Sequence, residues 1–445
     1  MGTLRASIEA KTCRSLLLAW SLGWILLPTS VAEATSPDLF GFGSRSMSMG
    51  MTGVSFADDY EALYSNPAGL ARIRESGLFL GLSAASFELE LDGSPHYLEA
   101  ARATTLGFQL PIPFGGSLRD MLVFGGGFYT PLGVVLRSDV LFADEAQWPI
   151  LARAQSVSII LGLGVDLHRW IPGLHLGLGV NAMAGVHGRL LVEFEDGNRF
   201  VSQTETQLLS RFDPILGVAY DRGDLSFGLT YHREVRSEIR LDVQTESLPV
   251  ELPTFAITAV AQYDPHILSA EASWRARAGT LLSLGLHWRM WSLWPGMLEQ
   301  TTASSYQPPS PAFHDTFSPR LGVEQTFSRR GTSLRLRGGY AYEPTAAPPA
   351  RMAQALDSRG EPRIDPATGE PSRTPIRYLD SDRHVLTLGI GFEHRLPEAR
   401  LFLDAHAQLH WIVARDHELP AAGATTNMQS RGLIPAFGWT GGLEW

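Results

Sequence analysis

Several segments of this chain alternate between apolar and polar or small residues over ten or more consecutive positions. The clearest are Leu174–Val186, Leu225–Val235 and Leu401–Trp411. A period of two places all the apolar side chains on one face of a β-strand. Strands of soluble sheets usually have about five or six residues, whereas a tilted strand needs roughly 9 to 11 to cross a bilayer. The pattern therefore predicts a transmembrane antiparallel β-barrel, with a soluble β-sandwich as the alternative.

The connections between these strands alternate between short and long. This rhythm gives about 14 strands between Gly77 and Trp445. The first and the last strand of the segment then begin and end on the side of the short turns. The region Asp264–Thr280 breaks the rhythm, because Ile267–Arg277 fits either an extra strand or an excursion. The short connections fall at Pro113–Asp120, His168–Gly173, Asp221–Asp224, Ser328–Gly331 and Leu396–Glu398, and the long ones at Arg137–Arg153, Gly188–Thr204, Arg236–Pro253, Pro295–Thr316, Glu343–Asp382 and Arg415–Gly432.

The first 34 residues have the composition of an export signal. A basic start is followed by the apolar stretch Leu16–Leu27, which is too short to span a bilayer as a helix, and by the cleavage pattern Ala32-Glu33-Ala34. The single cysteine, Cys13, lies in this segment. Without residues 1–34 the formal charge is −11, from 33 basic and 44 acidic residues, and no basic patch indicates a nucleic-acid partner.

Residues 35–76 differ from the barrel segment 77–445 because they carry a helical period. In Gly50–Ala71, the residues Phe56, Tyr60 and Leu63 fall at helical spacing, and Asp58 with Asp59 stands where a first turn favours negative charge. Asn66 precedes Pro67, so the helix is expected to end there. We interpret residues 35–76 as a small helical hatch that folds into the lumen of the barrel.

Aromatic residues stand near the predicted strand ends, as in the girdles of membrane barrels. The last predicted strand alternates from Phe437 and ends on Trp445, which is similar to the signal read by the outer-membrane barrel assembly machinery. The tryptophans assigned to the girdles are Trp148, Trp170, Trp288, Trp291, Trp294, Trp411, Trp439 and Trp445.

The sequence Ala-Asp-Asp-Tyr-Glu-Ala-Leu-Tyr-Ser-Asn-Pro-Ala-Gly-Leu at Ala57–Leu70 resembles the hatch motif of a known group. This group comprises the FadL/TodX-type transporters of long-chain fatty acids and aromatic hydrocarbons in Gram-negative outer membranes. Similar strand motifs follow at His287–Ser292, Arg320–Glu324, Leu336–Pro344 and Asp382–Phe392. The resemblance covers essentially all of residues 35–445.

The resemblance implies a monomeric barrel of 14 strands that passes hydrophobic cargo by passive, gated diffusion. Cargo would enter from the outer loops, and leave sideways through an opening in the wall. Asn66, Pro67 and Ala68 match the hatch motif and are expected to belong to the gate together with Asp58 and Asp59; the plainer reading of Asn66-Pro67 is a helix stop.

The glycine run Gly125, Gly126 and Gly127 falls in the third predicted strand. Glycine in a strand marks a bulge or a kink, or makes room for a bulky neighbour. In the family, a kink in the third strand forms the lateral exit. The run therefore predicts either a kink in the wall or space for a hatch residue.

Charges and histidines in the predicted lumen suggest neither catalysis nor a metal site. Arg320 with Glu324, and Arg335 with Arg337, share strand faces; cross-strand ion pairs are the ordinary explanation, and a clamp for a fatty-acid carboxylate is the alternative. His406 and His410 are about 13 Å apart along one strand, too far to share a metal. We expect no cofactor and no catalytic residue.

These observations predict an outer-membrane barrel, exported through its signal and surrounded by lipid and lipopolysaccharide, that transports hydrophobic small molecules. One alternative is a structural or secretion-associated barrel with a filled lumen, because such proteins share the Asp-Asp…Asn-Pro-Ala-Gly start. An outer-membrane enzyme such as a lipase is the other alternative, and the sequence offers no nucleophile and base for it.

Overall fold

The computed structural model describes residues 37–116, 119–132, 136–137, 145–151, 155–195, 199–246, 255–276, 279–296, 298–301, 309–357, 361–421 and 424–445. These residues belong to one compact unit, Glu33–Trp445. The predicted export signal, residues 1–34, lies outside the described residues. Within those ranges, no helix is long and apolar enough to cross a membrane.

Among the described residues, fourteen antiparallel strands form a closed barrel, and this confirms the predicted fold. The last strand closes the wall against the first, in a continuous register from Gly77↔Glu444 to Ala85↔Ala436. The wall strands are β1 (Gly77–Ala85), β2 (Ala101–Pro111), β3 (Leu122–Pro131), β4 (Ser158–Asp166), β5 (Leu174–Glu195), β6 (Arg199–Arg222), β7 (Leu225–His232), β8 (Ile267–Ala276), β9 (Thr280–Arg289), β10 (Thr316–Arg329), β11 (Thr332–Glu343), β12 (Arg383–Arg395), β13 (Arg400–Ala421) and β14 (Ala424–Glu444).

The ambiguous region of the sequence is resolved by the pairing of β8. This strand runs antiparallel to β7 on one side and to β9 on the other, so it belongs to the wall. The excursion instead precedes it: Val235–Glu246 and Phe255–Asp264 pair with each other outside the ring of fourteen. The number of wall strands remains even, because this two-stranded ribbon belongs to the long connection between β7 and β8. Its residues also alternate in polarity.

The two ends of the barrel differ in the length of their connections, as the sequence predicts. The end with the tight turns, here called the turn end, also carries Gly77 and Trp445. Ser76, which precedes Gly77, exchanges two backbone hydrogen bonds with Trp445. The opposite end, the loop end, carries the other connections. Two of the predicted long connections, Gly188–Thr204 and Arg415–Gly432, were wrong as loops, because most of their residues extend β5 with β6 and β13 with β14 as paired strands. The additional strands of the loop end are Glu88–Leu91 with Ser94–His96, Leu136–Arg137 with Gln155–Ser156, Leu298–Thr301 beside Phe255–Asp264, and Arg351–Gln354 with Arg373–Ile376; a short 3-10 helix spans Trp291–Leu293.

The wall strands alternate between an exposed apolar face and an inner face. In β10 the residues Phe317, Leu321 and Phe327 are exposed, whereas Arg320 and Glu324 between them are buried. Ten residues of strand rise about 33 Å along the strand, or about 25 Å across the bilayer at the usual tilt, which matches the apolar band of membrane barrels.

Three tryptophans assigned to the girdles instead lie inside the loop end. Trp148, Trp291 and Trp294 are at most 5% exposed, and the last two pack with Phe313 and Tyr378 in one aromatic cluster. Proximity to a strand end cannot distinguish a side chain that faces lipid from one that a folded loop covers. The prediction of girdle positions was therefore wrong for these three residues.

Candidate functional site

Residues 37–76 pack against the inner face of the wall, where the sequence predicts the hatch. Their helices are short: α1 (Pro37–Phe40), α2 (Ser44–Ser48), α3 (Ala62–Ser65) and a 3-10 helix at Pro67–Arg72. The ring of Tyr60 stacks on Phe79 of β1 with centroids 4.6 Å apart. The shared core contains Phe42, Ala57, Tyr60, Ala62, Leu63, Leu70 and Ile73 of the hatch and Phe79, Ala103, Val123, Tyr129, Ile160 and Ile215 of the wall.

Glycines on the inner face of the wall allow the backbone of the hatch to approach closely. A Cβ atom on Gly177 would lie 2.0 Å from the amide nitrogen of Ala68, and one on Gly228 would lie 2.0 Å from the carbonyl oxygen of Val54. A Cβ atom on Gly339 would likewise lie 2.0 Å from the amide nitrogen of Gly50. Because no larger residue fits at these positions, the wall and the hatch are complementary in shape.

Asn66, Pro67 and Ala68 form a buried, fully bonded joint between two helical turns. Asn66 ends α3, and its side-chain oxygen accepts a hydrogen bond from the Ala68 amide at 3.1 Å, which caps the next turn. Its side-chain nitrogen donates to the carbonyl oxygens of Val54 at 2.7 Å and of Val218 in β6 at 3.1 Å. The predicted helix stop is present, and Asn66 also ties the hatch to the wall. The helix before the stop covers only Ala62–Ser65, so the prediction that Asp58 and Asp59 lie in its first turn was wrong.

Asp58 and Asp59 have separate partners. Asp58 accepts a hydrogen bond from Arg45 at 2.7 Å, while Asp59 accepts from the backbone amide of Glu61 at 2.8 Å and caps the turn that precedes α3. Glu61 is buried and accepts from both the amide and the hydroxyl of Ser46. Burial raises the pKa of the Glu61 carboxyl, and these hydrogen bonds from Ser46 oppose the rise.

Gly125, Gly126 and Gly127 lie in a strand that is paired continuously on both sides. The registers of β3 with β2 and with β4 show no shift at these residues. A Cβ atom on Gly125 would contact Leu63 and Leu70, and one on Gly127 would contact Phe42. The glycines thus provide room for the hatch, and a lateral opening at this place stays a prediction.

The charges of the lumen form ion pairs that also hold the hatch. Glu324 in β10 accepts two hydrogen bonds from Arg45 of the hatch at 3.1 Å and one from Arg337 of β11 at 2.6 Å; Arg337 also pairs with Asp404. Burial disfavours the charge of Arg45, but the carboxylates of Glu324 and Asp58 outweigh burial and raise its pKa. Arg320 similarly donates to the carbonyl oxygen of Met51.

Replacing Glu324 by glutamine should lower the free energy of unfolding by about 1–3 kcal/mol, because two buried guanidinium groups lose their shared carboxylate. The loss is limited, since Arg45 keeps Asp58 and Arg337 keeps Asp404. The measurement is urea unfolding of the refolded barrel in detergent. The control is Glu90→Gln, which breaks an exposed pair with Arg431 and should cost about 1 kcal/mol at most. Equal effects of the two substitutions would show that the buried network contributes no special stability.

A further contact was not predicted from the sequence. Glu271, on the inner face of β8, accepts hydrogen bonds from three consecutive hatch amides, at 2.9 Å from Gly53 and 3.1 Å from Val54 and Ser55. The Ser55 hydroxyl adds a fourth at 2.6 Å. The only sequence signal was a carboxylate at an inner-face position between Ser269 and Ser273, and it depended on assigning β8 to the wall.

Among the cavities that border the hatch, two differ clearly in polarity. The first, of about 60 Å³, is mainly apolar and lies between the hatch and strands β7 to β10. The second, of about 270 Å³, is polar and opens toward the turn end between Asp58, Asp59 and Arg400. Small-molecule pockets usually measure roughly 300–1,000 Å³. The apolar cavity is lined by Phe42, Met47, Met51, Thr52, Val54, Tyr64, His232, Ile267, Ser269, His287 and Arg320, among others.

Comparison with known proteins gives matches to solved structures alone. No family model matches the chain, and no curated protein matches it either. A FadL homologue of Pseudomonas aeruginosa is 15% identical with a TM-score of 0.56, covering 90% of this chain and 97% of its own. The toluene transporter TodX of P. putida (12% identical, TM-score 0.53) and the toluene transporter TbuX of Ralstonia pickettii (13%, 0.51) each match over 91% of this chain and 99% of theirs. The chain therefore has the FadL/TodX-type barrel fold.

Proposed function

We propose that this chain is an outer-membrane channel that takes up hydrophobic small molecules, either long-chain fatty acids or hydrocarbons, by passive gated diffusion. The observation that carries the proposal is the hatch, which fills a closed barrel and borders an apolar cavity. A polar outer leaflet blocks apolar solutes, and a plugged barrel with an apolar cavity beside its hatch offers them a route while it excludes water. The fold shared with toluene transporters supports this reading.

The proposed location follows from the same features. The segment 1–34 would direct export, the barrel assembly machinery would insert the chain, and the exposed apolar face would contact lipid and lipopolysaccharide. The turn end would face the periplasm and the loop end the exterior. We propose a monomer, because the ring of fourteen strands closes within one chain.

The hatch would act as the gate. The apolar cavity of about 60 Å³ is smaller than a typical ligand site, so cargo can pass only if the hatch moves. Asn66 and Arg45 are placed to hold the closed arrangement, because each bonds to the wall as well as to the hatch. Polar contacts of this kind can break and form again without unfolding the barrel.

A lateral exit near Gly125–Gly127 would require the hatch to withdraw. On the inside, Leu63, Leu70 and Phe42 occupy the space beside these glycines. On the outside, the ring of Phe108 covers Gly126. Removing both covers would leave a strip of wall without side chains, and passage there would also require the continuous backbone pairing of β3 with β2 or β4 to open.

A structural or secretion-associated barrel is the second candidate, and the filled lumen and the folded loop end favour it. Such a protein would keep its hatch fixed, whereas a channel must release it. The two candidates therefore predict different rates of solute flux through the barrel.

The test is the uptake of labelled oleate and labelled toluene by a transporter-deficient strain that expresses this chain. We expect initial rates above those of the empty strain for at least one solute. The control is the amount of folded barrel in the outer membrane, measured by its heat-dependent gel migration. Correct insertion without uptake of either solute would reject transport and favour the structural role.

A further inference from the structure

A depression lies on the outer face of the wall over β8. Its volume is about 620 Å³, within the range of small-molecule pockets, and it is lined mainly by apolar residues of five neighbouring strands, β6 to β10. The residues that β8 turns outward into it are Ala270 and Ala272. Glu271 between them points inward and binds the hatch, so the depression lies outside the lumen.

The strand register explains why the wall is hollow here. In two successive outward rows, a β8 alanine stands between large side chains of β7 and β9: Phe227–Ala272–Leu284 and Leu229–Ala270–Leu286. The four larger side chains are 44–64% exposed, so no described part of the chain covers them. The next outward residues of β8, Leu268 and Trp274, are large again. The two alanines therefore form the floor of a short apolar groove along β8.

A cation lies at the side of this groove nearest the turn end. Val218 and Tyr220 of β6 line the groove, and Arg222, the last residue of β6, continues their outward face, because all three are exposed whereas Ala219 between them is buried. Arg222 forms no ion pair with any described residue. The register also puts Arg222 in one row with Trp274, whose indole is exposed.

A phospholipid supplies both groups that such a site can hold. Val218 and Arg222 lie four residues apart, or about 13 Å along the strand, so a phosphate at Arg222 places an acyl chain beside the groove. Arginine binds phosphate through two parallel N–H groups, and tryptophan is enriched at the level of the lipid headgroups. The turn end faces the periplasm in the orientation proposed above, and phospholipids form that leaflet.

We propose that the groove over β8 binds one phospholipid of the periplasmic leaflet, with an acyl chain against Ala270 and Ala272 and its phosphate on Arg222. The apolar wall of a second copy of this chain could also cover the alanines, but it would supply no anion to Arg222. A phospholipid satisfies both features and would be held more tightly than the lipid that surrounds the rest of the wall. The inference rests on the proposed orientation in the membrane and is independent of transport.

The first test separates the headgroup from the acyl chains. The barrel with its hatch is titrated in detergent with dioleoyl-phosphatidylethanolamine or with dioleoylglycerol, and bound lipid is counted by native mass spectrometry. A hydrogen bond between charged groups corresponds to a factor of about ten or more, so the phospholipid should bind at least about tenfold more tightly. Arg222→Gln should bring this ratio toward one. Arg329→Gln, which changes the exposed arginine that ends β10, should keep the wild-type ratio.

The second test fills the groove. Ala270→Leu/Ala272→Leu should weaken the binding of both lipids at least about tenfold, because the new side chains occupy the place of the acyl chain. The matched control is Ala405→Leu/Ala407→Leu, which changes two alanines that share the outward face of β13 with the exposed Leu403 and Leu409. This control should bind both lipids as the wild type does. Heat-dependent gel migration verifies that each variant is folded.

Several results would overturn the inference. These are a wild-type barrel that retains no phospholipid, a headgroup preference that Arg222→Gln leaves intact, and unchanged binding after the groove is filled. A wild-type dimer that Ala270→Leu/Ala272→Leu separates would assign the groove to a second copy instead. Tighter binding of lipid A than of phosphatidylethanolamine would assign the cation to the other leaflet. None of these results bears on the proposed transport, since lipid binding to the purified barrel is measured without any solute flux.

Discussion

Joining the hatch to the wall through a disulfide should stop uptake of hydrophobic solutes until a reductant is added. The hydroxyl oxygens of Thr52 in the hatch and Ser283 in β9 are 3.0 Å apart. Two sulfur atoms in their place need to move closer by about 1 Å to reach the length of a disulfide bond. The bond would hold the hatch closed, and a gated channel cannot conduct in that state. The measurement is oleate or toluene uptake with and without dithiothreitol.

The controls for this lock are the two single variants, which cannot cross-link within the chain. The only cysteine of the sequence, Cys13, lies in the predicted export signal, so no other thiol competes after its removal. Ser44 and Thr440, whose hydroxyl oxygens are also 3.0 Å apart, offer a second independent lock between hatch and wall. Undiminished uptake in either fully cross-linked variant would mean that transport does not require the hatch to leave that contact.

Placing valine at Gly339 should make the barrel leak. A Cβ atom there would lie 2.0 Å from the amide nitrogen of Gly50, so the side chain and the hatch cannot occupy the same space. Overpacking of this kind costs about 1–3 kcal/mol, which shifts a closed hatch toward an open one by about 5- to 150-fold. The measurement is entry of a polar chromogenic β-lactam, which a periplasmic β-lactamase hydrolyses.

The matched control is Gly338→Val, one residue earlier in β11. A Cβ atom on Gly338 has its nearest neighbour at 3.7 Å, the side chain of Leu388, which is an ordinary contact distance. Valine is also well suited to a strand. Gly338→Val should therefore leave permeability at the wild-type level, and equal permeability of both variants would contradict the fitted hatch.

The local sequence was sufficient for the barrel wall. Alternation such as Leu225, Phe227 and Leu229 against Ser226 and Gly228 follows directly from the strand geometry, and strand length separates a membrane barrel from a soluble sheet. The same rule could not decide whether the segment from Ile267 belongs to the wall, because alternation predicts a strand but does not predict which strands it pairs with. Hydrogen bonding with β7 and β9 decides that β8 belongs to the wall.

The sequence by itself determined the strand periodicity, the tight connections at the turn end and the stop at Asn66-Pro67, because each depends on residues that are neighbours in the chain. The tertiary structure alone decided the partners: Arg45 meets Glu324 from 279 positions away, and Gly53 meets Glu271 from 218. It also showed that the run at Gly125 makes room for Leu63 and Leu70. Such contacts depend on closure of the barrel around the hatch, and no local period in the sequence records which inner-face residue the hatch will touch.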